Sequence, residues 1–185
     1  MHAAAERPGP ATRALRSAGG FLQLVPRRAA WLPSLAWMGL ILWTSSLPSG
    51  PGPYRPGRAL LLNLGHAPLF GVLALFAALA IPRRGGWPRF EARAAAGVLA
   101  FVLAFAVAVE LYQEGMAPGR DGSLLDVMTD LTGAACTLWV AGYLGRPRAE
   151  DSGLGLRLAA GVLACLASAA LATWLPDWVP GHAWM

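Results

Sequence analysis

Five apolar runs, at about 29–47, 59–81, 92–113, 123–145 and 155–176, occupy most of the chain. Each holds about the 20 residues that a helix needs to cross a ~30 Å hydrocarbon core. With 56% hydrophobic residues, 14% charged residues and a mean hydropathy of +0.47, the chain lies outside the range of soluble domains and inside that of multi-span membrane proteins. The expected fold is all-α, a polytopic membrane helical bundle of five spans in one body.

The segments between the runs carry the punctuation of loops: Pro48 to Pro56, Pro82 to Pro88, Pro118-Gly119, Arg146-Pro147 and Pro176 to Gly181. Trp31, Trp87, Trp174 and Trp178 stand where an interfacial aromatic belt is expected. Residues 1–28 hold Arg7, Arg13, Arg16, Arg27 and Arg28 without a sustained apolar run, and read as a basic cytoplasmic tail. Residues 29–145 hold four spans, and 146–185 a loop, the fifth span and a short outer tail. No cleavable signal is expected, because the first apolar run is long enough to serve as an anchor.

All fifteen basic residues are arginine, and they fall between the apolar runs, not along one face, which argues against nucleic acid as a partner. Alternate loops place twelve arginines and four acids on one side, net +8, and three arginines and six acids on the other, net −3. The positive-inside rule then sets the N-terminus in the cytoplasm and, after five spans, the C-terminus outside. Small residues recur at four-residue spacing as Ala96, Ala100, Ala104 and Ala108 in the third run, Gly133, Thr137 and Ala141 in the fourth, and Ala160, Ala164, Ser168 and Ala172 in the fifth. Such stripes let helix backbones approach closely. Cys136 and Cys165, each in mid-run, are read as small hydrophobes.

The stretch from Glu110 to Asp130 departs from this pattern. It holds five of the ten acids, Glu110, Glu114, Asp121, Asp126 and Asp130, and a single base, Arg120. Carboxylates at the ends of apolar helices are costly to place, so a functional site is expected there, on the outer side. Glu110 and Gln113 share one face of the third helix, while Asp126, Asp130 and Gly133 share a face of the fourth that should point into the bundle. Pro118-Gly119-Arg120 forms a turn able to hold the arginine over both helix ends. Asn63 and His66, one turn apart near the start of the second span, lie at the same level. The competing reading is an interfacial loop with solvated charges. Ser45 and Ser46 before Pro48 read as a helix end.

No nucleophile elbow, P-loop, dinucleotide fingerprint, zinc-protease helix or paired-cysteine metal motif is present. His66, Glu110, Asp126 and Asp130 offer a donor set suited to Mn or Zn. They lack a recognised ligand spacing, so no metal or other cofactor is assigned.

Glu110-x-x-Gln113, Pro118-Gly119-Arg120, and Ser123-x-x-Asp126 followed seven residues later by Gly133 resemble the signature of the VanZ-like family. Ser45-Ser46-Leu47-Pro48 after the first span and His66 in the second extend the resemblance over about residues 31–145. Leu62, Asn63, Phe70 and Asp130 depart from the family pattern, which has an acid and a lysine before the His, a Tyr after it and an Asn at the last position. The resemblance implies a bacterial envelope protein with a four-span core, here followed by a fifth span. The family is named for a membrane protein linked to teicoplanin resistance. The expected site comprises Glu110, Gln113, Arg120 and Asp126, supported by His66, Asn63, Asp130, Gly133 and Ser123. Three readings follow: an envelope protein that binds a lipid or cell-wall precursor; an enzyme on a lipid-linked substrate, with Glu110 or Asp126 as base and Arg120 as anion anchor; and a small transporter subunit. The apolar inner halves of the spans disfavour the last.

Overall fold

The computed structural model describes residues 9–47, 56–81, 83–84, 87–88, 91–116, 122–146 and 149–175. Six α-helices carry these residues: α1 Pro10–Gln23, α2 Trp31–Ser45, α3 Pro56–Ala78, α4 Ala92–Met116, α5 Leu124–Leu144 and α6 Asp151–Trp174. A single 3₁₀ turn, Arg27–Ala29, precedes α2. A two-stranded antiparallel pair, β1 Arg83–Arg84 and β2 Trp87–Pro88, lies between α3 and α4.

Four helices, α3 to α6, are long and apolar enough to cross a membrane, and together they make a polytopic bundle. The first expected span falls short. At 15 residues, α2 extends roughly 22 Å at the helical rise, less than the hydrocarbon thickness. Ser46 caps it, its hydroxyl donating to the Trp43 carbonyl at 2.7 Å, so the serine pair ends a helix as expected. The chain nevertheless runs the length of the bundle here. Arg27 donates from Nε and Nη2 to the Ala80 carbonyl just past the end of α3, each at 3.2 Å, and α3 begins at the opposite end.

Residues expected as a tail form α1, which docks at the end of the bundle where α5 stops and α6 starts. The Asp151 carboxylate accepts the Ala11 and Thr12 N–H groups at 3.2 and 2.8 Å, satisfying two donors that the first turn of a helix leaves open. Arg16 donates from Nε to the Leu144 carbonyl at 3.2 Å and from Nη2 to the Arg146 carbonyl. Trp87, expected in an interfacial belt, is instead buried, because the β-pair turns it against Gly19 of α1. Trp31 and Trp174 are exposed, and Trp178 lies outside the described residues.

The central packing is α3 against α5. Ala67 and Gly71 meet Gly133 and Thr137, and a Cβ at Gly133 would collide with the Ala67 backbone. Only a missing side chain allows this approach. A core of Ile41, Phe70, Leu73, Val102, Phe105 and Val109 fills the space among α2, α3 and α4. The alanine stripe of α4 does not join it: Ala96, Ala100, Ala104 and Ala108 are all exposed, and Val98, Val102, Phe105 and Val109 face inward. The α6 stripe is also displaced. Leu154, Gly161, Ala169 and Thr173 are the buried residues there, while Ala164 is exposed.

Candidate functional site

Three helices bring the polar residues to one end of the bundle. His66 sits ten residues into α3, Glu110 six residues before the end of α4, and Asp126 and Asp130 in the first two turns of α5. At 1.5 Å per residue these positions lie roughly 3–15 Å inside the helix ends. His66 Nδ1 meets Asp130 Oδ1 at 3.0 Å, with His66 17% exposed and Asp130 0%. One ligand atom from each of His66, Glu110 and Asp126 falls within 4.8 Å of the other two.

The close α3–α5 approach sets the His–Asp pair. His66 precedes Ala67, and Asp130 lies one turn before Gly133, so the backbones that touch at Ala67 and Gly133 carry the two side chains into hydrogen-bond range. Asp130 Oδ2 is buried with no hydrogen-bond partner among the described residues.

Backbone donors at the start of α5 hold the acids of α4. Glu110 Oε2 accepts the Ser123 N–H at 2.8 Å, and Glu114 Oε2 accepts the Gly122 N–H at 2.8 Å. Ser123 is the N-cap of α5, its Oγ accepting the Asp126 N–H at 3.1 Å. Glu110, Glu114 and Asp126 therefore gather around one helix N-terminus, where the dipole favours negative charge. The Ser123-x-x-Asp126 spacing is a capping signature visible in the sequence. The backbone bonds of Glu110 and Glu114 have no such signature.

The expected site residues divide accordingly. His66, Glu110, Asp126, Asp130 and Ser123 come together, Gly133 underlies them, and Gln113 is buried one turn beyond Glu110. Asn63 points elsewhere: its amide donates to Thr173 Oγ1 at 3.1 Å, tying α3 to α6. Thr173 was not among the expected residues, since an isolated threonine near the end of an apolar helix carries no sequence signal. Arg120, with Pro118 and Gly119, lies outside the described residues.

Chemically, the Asp130 carboxylate fixes the imidazole through Nδ1 and leaves Nε2 as the nitrogen directed at other partners. A carboxylate–histidine pair of this kind orients a proton-transfer group or a metal ligand. His66, Glu110 and Asp126 supply one nitrogen and carboxylate oxygens, a set that could hold a divalent ion such as Zn or Mn.

Compared with known proteins, the chain matches no family model, no curated protein sequence and no solved structure. Fold and site define its class: a polytopic helical membrane protein with a buried histidine–acid cluster at one end of the bundle.

Proposed function

We propose that this is a VanZ-like protein of the bacterial cytoplasmic membrane whose polar site opens on the extracytoplasmic side and binds a lipid-linked or cell-wall precursor, with an effect on glycopeptide susceptibility. Residues 29–145 form its four-span core, α2 included, and α6 the added span. The N-terminus is cytoplasmic and the C-terminus extracytoplasmic. The carrying observation is the convergence of His66, Glu110 and Asp126 within 4.8 Å, with Asp130 buried behind the histidine. Capping one helix requires neither a histidine nor a fully buried second aspartate. The twelve-to-three arginine bias supports the outward orientation.

Native mass spectrometry of the detergent-purified protein tests the ligand. A co-purifying lipid-linked species is expected in the wild type and absent from Glu110→Gln and Asp126→Asn. No such species, together with unchanged teicoplanin susceptibility on expression and deletion, would overturn the proposal. Reporters fused after residues 84 and 148 should behave as cytoplasmic and those after 57, 119 and 181 as extracytoplasmic. A cytoplasmic signal at 119 would put the site on the wrong face.

The oriented His66–Asp130 pair favours one second reading, an enzyme acting on such a lipid-linked substrate, with Glu110 or Asp126 as general base and Arg120 holding an anionic group. Turnover of the co-purified species by wild-type protein, lost in Glu110→Gln, would distinguish enzyme from binder.

A further inference from the structure

A second site lies on the other side of the α3–α5 crossing. Between α3 and α6, with α5 as its floor, runs a groove of about 530 Å³. On α5 it extends from Gly133 to Leu144, roughly 16 Å at the helical rise. Gly161, which offers no side chain, opens it from the α6 side. Leu15 of α1 and Trp87 of β2 line its lower end, and the Asn63–Thr173 bond joins α3 to α6 beyond its upper end. Its rim residues Leu158, Val162 and Leu166 on α6 are exposed. Since α3, α5 and α6 are all candidate spans, this opening faces the hydrocarbon of a bilayer.

The lining is almost wholly apolar along its length and cationic at one end. Arg157 lines the groove, its guanidinium 4.0 Å from the Tyr143 ring centroid and 5.3 Å from that of Trp139. Its Nη1 donates to the Gly153 carbonyl at 2.7 Å, and its buried Nε has no partner among the described residues. Arg16 reaches the carbonyl of Leu144, another lining residue, and Arg146 stands 6.0 Å from the Tyr143 ring centroid. Three guanidinium groups thus surround the last turn of α5, and none makes a salt bridge among the described residues. Of the two nearby acids, Glu150 is exposed and Asp151 is engaged with the N–H groups of α1.

We infer that this groove is a binding site for an anionic phospholipid, with one acyl chain along α5 and the phosphate held by Arg157, Arg16 and Arg146. A trench open sideways to hydrocarbon and running along α5 fits a chain lying parallel to the helices. Arginines held at one depth by backbone carbonyls and aromatic rings keep their charge for a headgroup. The lipid comes from the leaflet that the arginine-rich end faces, so this site is separate from the histidine–acid cluster and does not depend on its function.

The test compares the rise in melting temperature of detergent-purified full-length protein on adding phosphatidylglycerol or phosphatidylcholine with identical chains. Phosphatidylglycerol should give the larger rise in the wild type and in Asp126→Asn. Cys165→Trp, which fills the groove, should abolish the rise from both lipids. Arg157→Gln should keep the rise from phosphatidylcholine and lose the excess from phosphatidylglycerol. If Cys165→Trp does not fold, Val162→Trp at the exposed rim replaces it. Equal rises from the two lipids in the wild type would overturn headgroup recognition. A phosphatidylglycerol excess that persists in both the groove-filling variant and Arg157→Gln would place the lipid elsewhere.

Discussion

At the arginine-rich end of the bundle, Arg16 and Arg27 donate to carbonyls at or just past the ends of α5 and α3, whereas at the acid-rich end Glu110 and Glu114 accept N–H groups leading into α5. Each end puts its charge on the helix termini of complementary polarity. The symmetry stops at depth. Arg16 and Arg27 cap helix ends, while Asp130 is fully buried and paired with His66. Capping thus accounts for Arg16 and Arg27 at one end, whereas Arg157 there keeps a buried Nε without a partner among the described residues. At the other end the buried His66–Asp130 pair exceeds what capping requires, and this excess supports the proposed site.

The largest effect should come from breaking the buried pair. His66→Ala leaves the Asp130 carboxylate without the partner of its Oδ1, a loss expected to cost about 3–5 kcal/mol, less if water enters the space. His66→Ala/Asp130→Leu removes both groups and should recover part of that loss in detergent melting experiments. If the double variant loses the sum of the two single losses, the pair has no coupling and the contrast in depth carries no energy.

Gly133→Ala attacks the same pair through the backbone. A Cβ there meets the Ala67 carbonyl, so α3 and α5 must separate, at about 1–3 kcal/mol for overpacking. Separation also pulls His66 from Asp130, so the substitution should cost measurably less in a His66→Ala background. Full additivity in the melting temperatures would show that the crossing and the pair are independent.

The sequence and the structure agree where composition constrains both length and direction. Run length predicts α3 to α6, and the α5 face of two acids and a glycine is read as inward because lipid rejects the acids. The alanine stripe of α4 fails for the complementary reason: alanine is accepted equally by a neighbouring helix and by lipid, so spacing alone cannot orient it. The α1 helix escapes notice because its apolar residues are few and set among Arg, Gly and Pro, and its N-terminal cap comes from Asp151, 139 residues from Thr12. Depth places Asn63 and His66 together, but rotation about α3 separates them, one toward α6 and the other toward α5.

Ser123→Ala should have an intermediate effect, about 0.5–2 kcal/mol, through the lost N-cap of α5. The Ser123 N–H that Glu110 accepts survives the substitution, so Glu110 should remain in place. A loss as large as that of His66→Ala would mean that the hydroxyl does more than cap the helix.

The smallest effect is expected at the opposite end, in Arg27→Gln. Both donors of Arg27 converge on one carbonyl, that of Ala80, and the side chain is exposed, so charge near a helix C-terminus should contribute about 0.3–1 kcal/mol. Glutamine keeps a donor but loses the charge, and the residual loss should fade in high salt, because exposed charges are screened. The adjacent and exposed Arg28 is the control, and Arg28→Gln should change the melting temperature less. One arginine of twelve leaves the charge bias intact, so reporters at residues 84 and 148 should keep their cytoplasmic signal in both variants. A loss in Arg27→Gln that rivals His66→Ala and survives high salt would erase the contrast between a capping charge and the buried pair.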